Sequence, residues 1–223
     1  MAYGITLEVW GDYALFTRPE LKVERYSYDV MTPSAARGIL EAIFWKPAIK
    51  YVIDSIEVLN EIKTVNVRRN EVKSKIAHGK VKQVMEGTKQ EPLYLSTTDE
   101  IAQRASVILK DVRYVIRAHF ELTEKAGAND NHGKFSDIIR RRIEKGQCFY
   151  NPYLGAKEFS LKFRKFEDDV PEKDYYYRHN KPSEKDLGLM LYDLDYGEEI
   201  KPYYFKAVMK NGLIDVVNSE VFR

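Results

Sequence analysis

From Asp111 to Leu122 the chain alternates with a period of two. Val112, Tyr114, Ile116, Ala118 and Phe120 take one parity, and Asp111, Arg113, Arg117, His119 and Glu121 take the other. Successive side chains of a strand point to opposite faces, so this stretch predicts a strand with one buried and one wet face. Val115 is the single apolar residue on the wet parity. Arg117 and His119 project from that face together, about 6.6 Å apart at ~3.3 Å of rise per residue. A fixed cation beside a group that titrates near neutrality can cleave RNA without a metal, and a plain solvated face is the competing reading.

The strands and helices around this one follow from local signals. Ile5, Leu7 and Val9 alternate with Thr6, Glu8 and Trp10, giving a first strand that Gly11-Asp12 should break. Thr32-Pro33-Ser34 opens a helix, because a hydroxyl caps and proline is tolerated in the first turn. Ile39, Leu40, Ile43 and Phe44 give that helix its apolar side, and Pro47 stops it. Tyr51 to Val58 reads as the second strand, continuing irregularly through Ile62 to Val67. Thr98 to Ser106 reads as a short helical segment, Phe135 to Lys145 as a helix, and Glu158 to Phe166 as a strand. The order strand, helix, strand, strand, helix, strand is the ferredoxin-like, RRM-type βαββαβ arrangement of an α+β protein. Lys165 to Lys185 is a charged loop and Leu187 to Tyr192 a strand. Asn211-Gly212 between Tyr203–Lys210 and Leu213–Val217 is a hairpin turn that needs positive φ at both positions. The expected division is residues 1–166 as the RRM-type unit and 167–223 as an antiparallel β addition.

Charge is distributed rather than large, with a formal net of +2. Between Arg68 and Lys89 stand seven basic residues (Arg68, Arg69, Lys73, Lys75, Lys80, Lys82, Lys89) against Glu71 and Glu86. This basic insertion, about 68–90, lacks a sustained period and is expected to be a loop or flexible hairpin that touches phosphates. One cysteine, Cys148, excludes an internal disulfide and a multi-thiolate zinc site. The histidines other than His119, at 78, 132 and 179, have no partners at metal-ligand spacing, so neither metal nor cofactor is expected. No phosphate-cradling glycine loop, nucleophile elbow or dinucleotide fingerprint is present. The absence of a long apolar run predicts a cytoplasmic protein with no membrane partner.

Several segments together resemble a known family. They are Gly11-Asp12-Tyr13-Ala14-Leu15-Phe16-Thr17, Ala42-Ile43-Phe44-Trp45-Lys46-Pro47, Tyr114-Val115-Ile116-Arg117-Ala118-His119-Phe120, and Arg140-Arg141-Arg142 leading to Pro152-Tyr153-Leu154-Gly155-Ala156-Lys157-Glu158. With Val208-Met209-Lys210-Asn211-Gly212, they resemble the CRISPR-associated Cas family five, d-type, of subtype I-C. The resemblance implies an endoribonuclease that cuts the repeat hairpin of precursor CRISPR RNA and stays on the 5′ handle of the guide, beside other subunits of the complex. It places the catalytic histidine at His119 and a neighbouring cation at Arg117. The family's tyrosine falls on Phe44, which has no hydroxyl: either that tyrosine acts by orientation or stacking, or another group such as Lys46 or a loop tyrosine substitutes, or this member is a weaker enzyme. Arg68, Arg69, Lys134, Arg140, Arg141 and Arg142 are candidate RNA-backbone contacts. Non-specific DNA is a further partner that this basic surface admits. The alternative function is a non-catalytic subunit that caps the guide, and a metal-dependent DNA nuclease is a third reading that needs a carboxylate cluster.

Overall fold

The computed structural model describes residues 4–21, 23–90, 92–167, 171–180, 184–197 and 199–222. Its elements are β1 (Ile5–Ala14), α1 (Pro33–Ile43), β2 (Ile49–Val58), β3 (Lys63–Val72), α2 (His78–Met85), β4 (Ile101–Leu122) and α3 (His132–Glu144). Then come β5 (Lys162–Lys165), α4 (Tyr176–His179), β6 (Glu184–Tyr196), β7 (Ile200–Lys210), β8 (Leu213–Asp215) and β9 (Val221–Phe222). The result is a mixed α/β protein dominated by one antiparallel sheet, whose strands run in the order β5-β1-β4-β2-β8-β7-β6. Parts of the expected Lys165–Lys185 loop, residues 168–170 and 181–183, lie outside the described residues.

β4 organises the sheet. It is 22 residues long, or roughly 70 Å at strand rise. Its C-terminal half lies between β1 and β2, and its N-terminal half pairs with β3, from Lys63 opposite Lys110 to Val72 opposite Ile101. One expectation is corrected here. Thr98 to Ser106 is not helical, because Ile101 to Ser106 pair with β3 and tertiary pairing outweighs a weak local preference. Of the loop or hairpin expected after Arg68, the hairpin is found: β3 and β4 pair antiparallel, and the connection between them carries α2, a helix that buries none of its residues. Asp111 sits at the changeover of partners with φ 55°, a left-handed value that aspartate tolerates better than most residues. Asn60 Nδ2 donates to its carbonyl at 2.9 Å.

Helices α1 and α3 cover one face of the sheet. Thr32 caps α1 by accepting from the Ala35 amide, with Pro33 in the first turn. α1 buries Ala36, Ile39, Leu40 and Ile43, and α3 buries Phe135, Ile139 and Ile143. They pack in one core with Leu7, Val9, Tyr114, Ile116, Ala118 and Phe120. The strands after residue 167 join the same sheet through β8, where Ile214 pairs with Ile56, and their Phe205 and Met209 join the same core. The expected boundary between 166 and 167 therefore falls at no break in the sheet. The Asn211-Gly212 turn has φ of 51° and 84°, as the hairpin requires.

Candidate active site

The parity of β4 divides its side chains as expected: Tyr114, Ile116, Ala118 and Phe120 enter the helix-side core, and Arg113, Arg117 and His119 occupy the other face. That second face is not simply wet. Val115 is fully buried in a small second core with Leu59, Phe166 and Tyr175. Phe166 and the 171–180 segment are each tied down over the sheet, with the Phe166 amide donating to the Thr6 carbonyl and the Tyr176 amide to the Leu59 carbonyl. The apolar residue on the wet parity is thus the seat of this cover.

Beneath the cover, two carboxylates are buried and each is held by two arginines. Glu8 of β1 accepts from Arg113 Nε at 2.7 Å and Arg164 Nε at 2.6 Å. Glu57 of β2 accepts from Arg117 Nη2 at 2.8 Å and Arg178 Nη2 at 2.7 Å. A carboxylate removed from water costs several kcal/mol unless paired and hydrogen-bonded, so the doubled arginines are what permit this burial. Arg117 also lies over the Phe166 ring and Arg178 over the Tyr175 ring, at 5.8 and 3.6 Å.

His119 stands at the open end of this face, with its side chain 26% exposed. Its Nδ1 is 2.7 Å from Asp54 Oδ1. Asp54 follows Ile53, which faces the core residue Ala118, so alternation puts it on the His119 face; with Ser55 facing Arg117, it is the extra residue of a β-bulge. Ring nitrogen, carboxylate and guanidinium on one rigid surface can move a proton and offset negative charge.

The remaining expected residues disperse. Phe44 is corrected: it is 5% exposed and lies in the helix-side core, its ring 6.1 Å from Phe135 and 5.4 Å from the Arg142 guanidinium. Phe135 in turn contacts Phe120 at 6.3 Å, and Phe120 and His119, being successive on a strand, point to opposite faces. Phe44 is therefore on the far side of the sheet from His119. Lys46 is exposed in the turn after α1, and its charge is felt at Asp130, whose carboxyl is held below its usual range chiefly by Lys134. Lys134 donates to Asp130 at 2.8 Å, and Arg140 to Asp137 at 2.8 Å. Arg142 donates to the Ile43 carbonyl, closing the C-terminus of α1. Arg69 is tied to Glu158 and Ser106, whereas Arg68 and Arg141 are exposed. Among the described residues no three His, Cys, Asp or Glu side chains gather into a metal-binding group, so a metal-dependent DNA nuclease draws no support from them.

Asp54, Glu57, Glu8 and Arg178 were not singled out from the sequence. Two signals for them existed. Glu8 and Glu57 each stand between apolar residues in a predicted strand, on a parity that can meet Arg113 or Arg117. Asp54-Ser55, two adjacent polar residues inside an alternating run, is a bulge signature.

Comparison with known proteins agrees with this architecture. The Cas5d model of the CRISPR-associated Cas5 proteins matches residues 4–217. The CRISPR pre-crRNA endoribonuclease Cas5d of Mannheimia succiniciproducens is 49% identical over 216 residues, covering 97% of this chain and 96% of the relative. The CRISPR pre-crRNA endoribonuclease Cas5d of Thermus thermophilus is 40% identical over 195 residues, covering 87% and 75%. A crystal structure described as a CRISPR-associated protein superposes with a TM-score of 0.68 at 25% identity, covering 99% of this chain and 96% of that one.

Proposed function

The chain belongs to the Cas5d family of CRISPR-associated proteins, and from that membership we propose that it is a precursor CRISPR RNA endoribonuclease with His119 at its active centre. The RNA supplies its own nucleophile, the 2′-OH beside the scissile phosphate. The protein needs only to accept that proton, align the attack and offset the charge gathering on the phosphorane, so no metal is required. His119 takes the proton and Arg117 stabilises the charge. The bond from phosphorus to the 5′-oxygen breaks, that oxygen takes a proton from water, and the products are a 2′,3′-cyclic phosphate and a 5′-OH. The observation that carries this reading is that His119 and Arg117 share one face of β4, with His119 partly open to solvent.

We read β1, α1, β2, β4, α3 and β5 as a ferredoxin-like, RRM-type unit. The antiparallel order β5-β1-β4-β2 supports this. The repeat hairpin is the substrate; after cleavage the protein keeps the 5′ handle in a subtype I-C complex in the cytoplasm. A groove lined by Thr6, Ser136, Arg140, Lys165 and Phe166 supports an RNA path around the β5 edge, joining the basic side of α3 to the ring beneath Arg117. Arg68 and Arg141 are further backbone contacts on this reading. No helix of the described residues is long and apolar enough to cross a membrane.

The test is cleavage of labelled repeat RNA in excess EDTA. Cleavage should persist, a substrate with deoxyribose at the cut site should bind and stay whole, and His119→Ala should abolish product. Loss of all activity in EDTA would sink the metal-free mechanism. A His119→Ala protein as active as the parent would favour a subunit that caps the guide without cutting at this site.

A further inference from the structure

We propose that Asp54 is a positioning residue for His119, holding the neutral imidazole with its proton on Nδ1 so that Nε2 presents the lone pair that accepts the 2′-OH proton. This rests on the assignment of His119 as the base. Two features separate the contact from an ordinary surface ion pair, which would contribute little.

The first is chemical. A carboxylate only accepts hydrogen bonds, so an Asp54 oxygen 2.7 Å from Nδ1 selects the ring form that carries hydrogen there. A free imidazole in water prefers the other tautomer, with hydrogen on Nε2, which has no lone pair to offer at that atom. The second is architectural. Asp54 is the unpaired residue of the bulge, and its carbonyl accepts from the amides of Val216 and Val217 at 3.0 and 3.1 Å. Val216 is itself buried, and β8 pairs with Ser55 to Glu57 immediately beyond the bulge. The carboxylate is therefore aimed from backbone fixed on both sides, by β4 and by the C-terminal strands. Alternation from Ile53, which lies in the core opposite Ala118, puts the Asp54 side chain on the His119 face, and the bulge adds Ser55 to that face before Ile56 returns to the core.

The experiment compares the parent, Asp54→Asn, Asp54→Glu and His119→Ala. It reads single-turnover cleavage of saturating repeat RNA, RNA affinity, and the ring-nitrogen resonances of His119 in protein labelled with ¹⁵N-histidine. With the imidazole neutral, the parent should show Nδ1 protonated. Asp54→Asn should lose roughly a hundredfold or more in cleavage rate, as expected when a base is held in the wrong tautomer, with RNA affinity within about twofold. Its His119 signals should move toward the Nε2-protonated pattern, and Asp54→Glu should recover part of the rate. A parent spectrum with Nε2 protonated overturns the proposal whether or not any variant folds. So does an Asp54→Asn protein that cleaves within twofold of the parent while His119→Ala is inactive. If His119→Ala itself retains cleavage, the assignment of the base fails first and the proposal falls with it.

Discussion

Arg178 Nη2 lies 2.7 Å from Glu57 Oε1, and the same carboxylate takes Arg117 on its other oxygen. The cation assigned to the chemistry is thus held in place by a buried acid that a residue from the C-terminal part of the chain helps to neutralise. Arg178→Ala should leave Glu57 with one partner and destabilise the protein by about 1–2 kcal/mol, toward the low end because the Arg178 side chain is 38% exposed. Cleavage should fall as well, since Arg117 would be drawn further onto Glu57. Urea unfolding and single-turnover cleavage on the same samples check both.

Phe44→Tyr should not accelerate cleavage. Its ring faces Phe135 and Arg142 in the helix-side core, so the added hydroxyl has no route to the phosphate held near His119. A buried hydroxyl without a designed partner costs about 1–3 kcal/mol, and the rate should stay within about twofold of the parent. A tenfold gain would show that residue 44 reaches the active face and would overturn its placement in the helix-side core.

Phe166→Ala should cost about 3 kcal/mol, as for other buried phenylalanines, and should do more than destabilise. Phe166 roofs Val115 and underlies Arg117, so its loss frees the cover that carries Arg178. Cleavage should drop more than RNA affinity does. Equal losses in both would mean that the cover merely contributes to general stability.

Arg68→Ala and Arg69→Ala should differ although the residues are adjacent. Arg68 is exposed and free to meet a phosphate, so its removal should flatten the salt dependence of RNA binding by about one unit of slope. Arg69 is held by Glu158 and Ser106, and its removal should lower thermal stability while leaving the slope unchanged. Titrating RNA affinity against salt for the two variants distinguishes them.

Alkaline titration should find tyrosines that resist ionisation. Burial, reinforced by Glu20, pushes the Tyr28 hydroxyl up to about 12, and burial raises Tyr51 and Tyr114 as well. Their neutral forms are favoured by the fold, so stability is unaffected by them below pH 10 and declines as pH rises from 10 toward 12. Ultraviolet absorbance at pH 11 should show these three of the sixteen tyrosines still protonated until the chain unfolds.

The sequence by itself determined what depends on neighbours along the chain. The alternation of β4, the Thr32 cap with Pro33, the apolar sides of α1 and α3 and the Asn211-Gly212 hairpin all follow from periods and caps that act over a few residues. The pairing of Arg117 with His119 was legible for the same reason, since two residues of one parity on one strand must share a face. Tertiary structure decided what depends on partners distant in sequence. Ile101 to Ser106 became strand because β3 offered a hydrogen-bonding edge, and Phe44 went to the core because Phe135 and Arg142 close over it. Val115, an exception to the alternation, is buried by Phe166 and by Tyr175, the latter from beyond the predicted domain boundary. Asp54 meets His119 across 65 positions, at a bulge whose carbonyl is tied to Val216 and Val217. The energy that fixes such contacts comes from burial and from charges compensated in space, and no local period of the sequence records either.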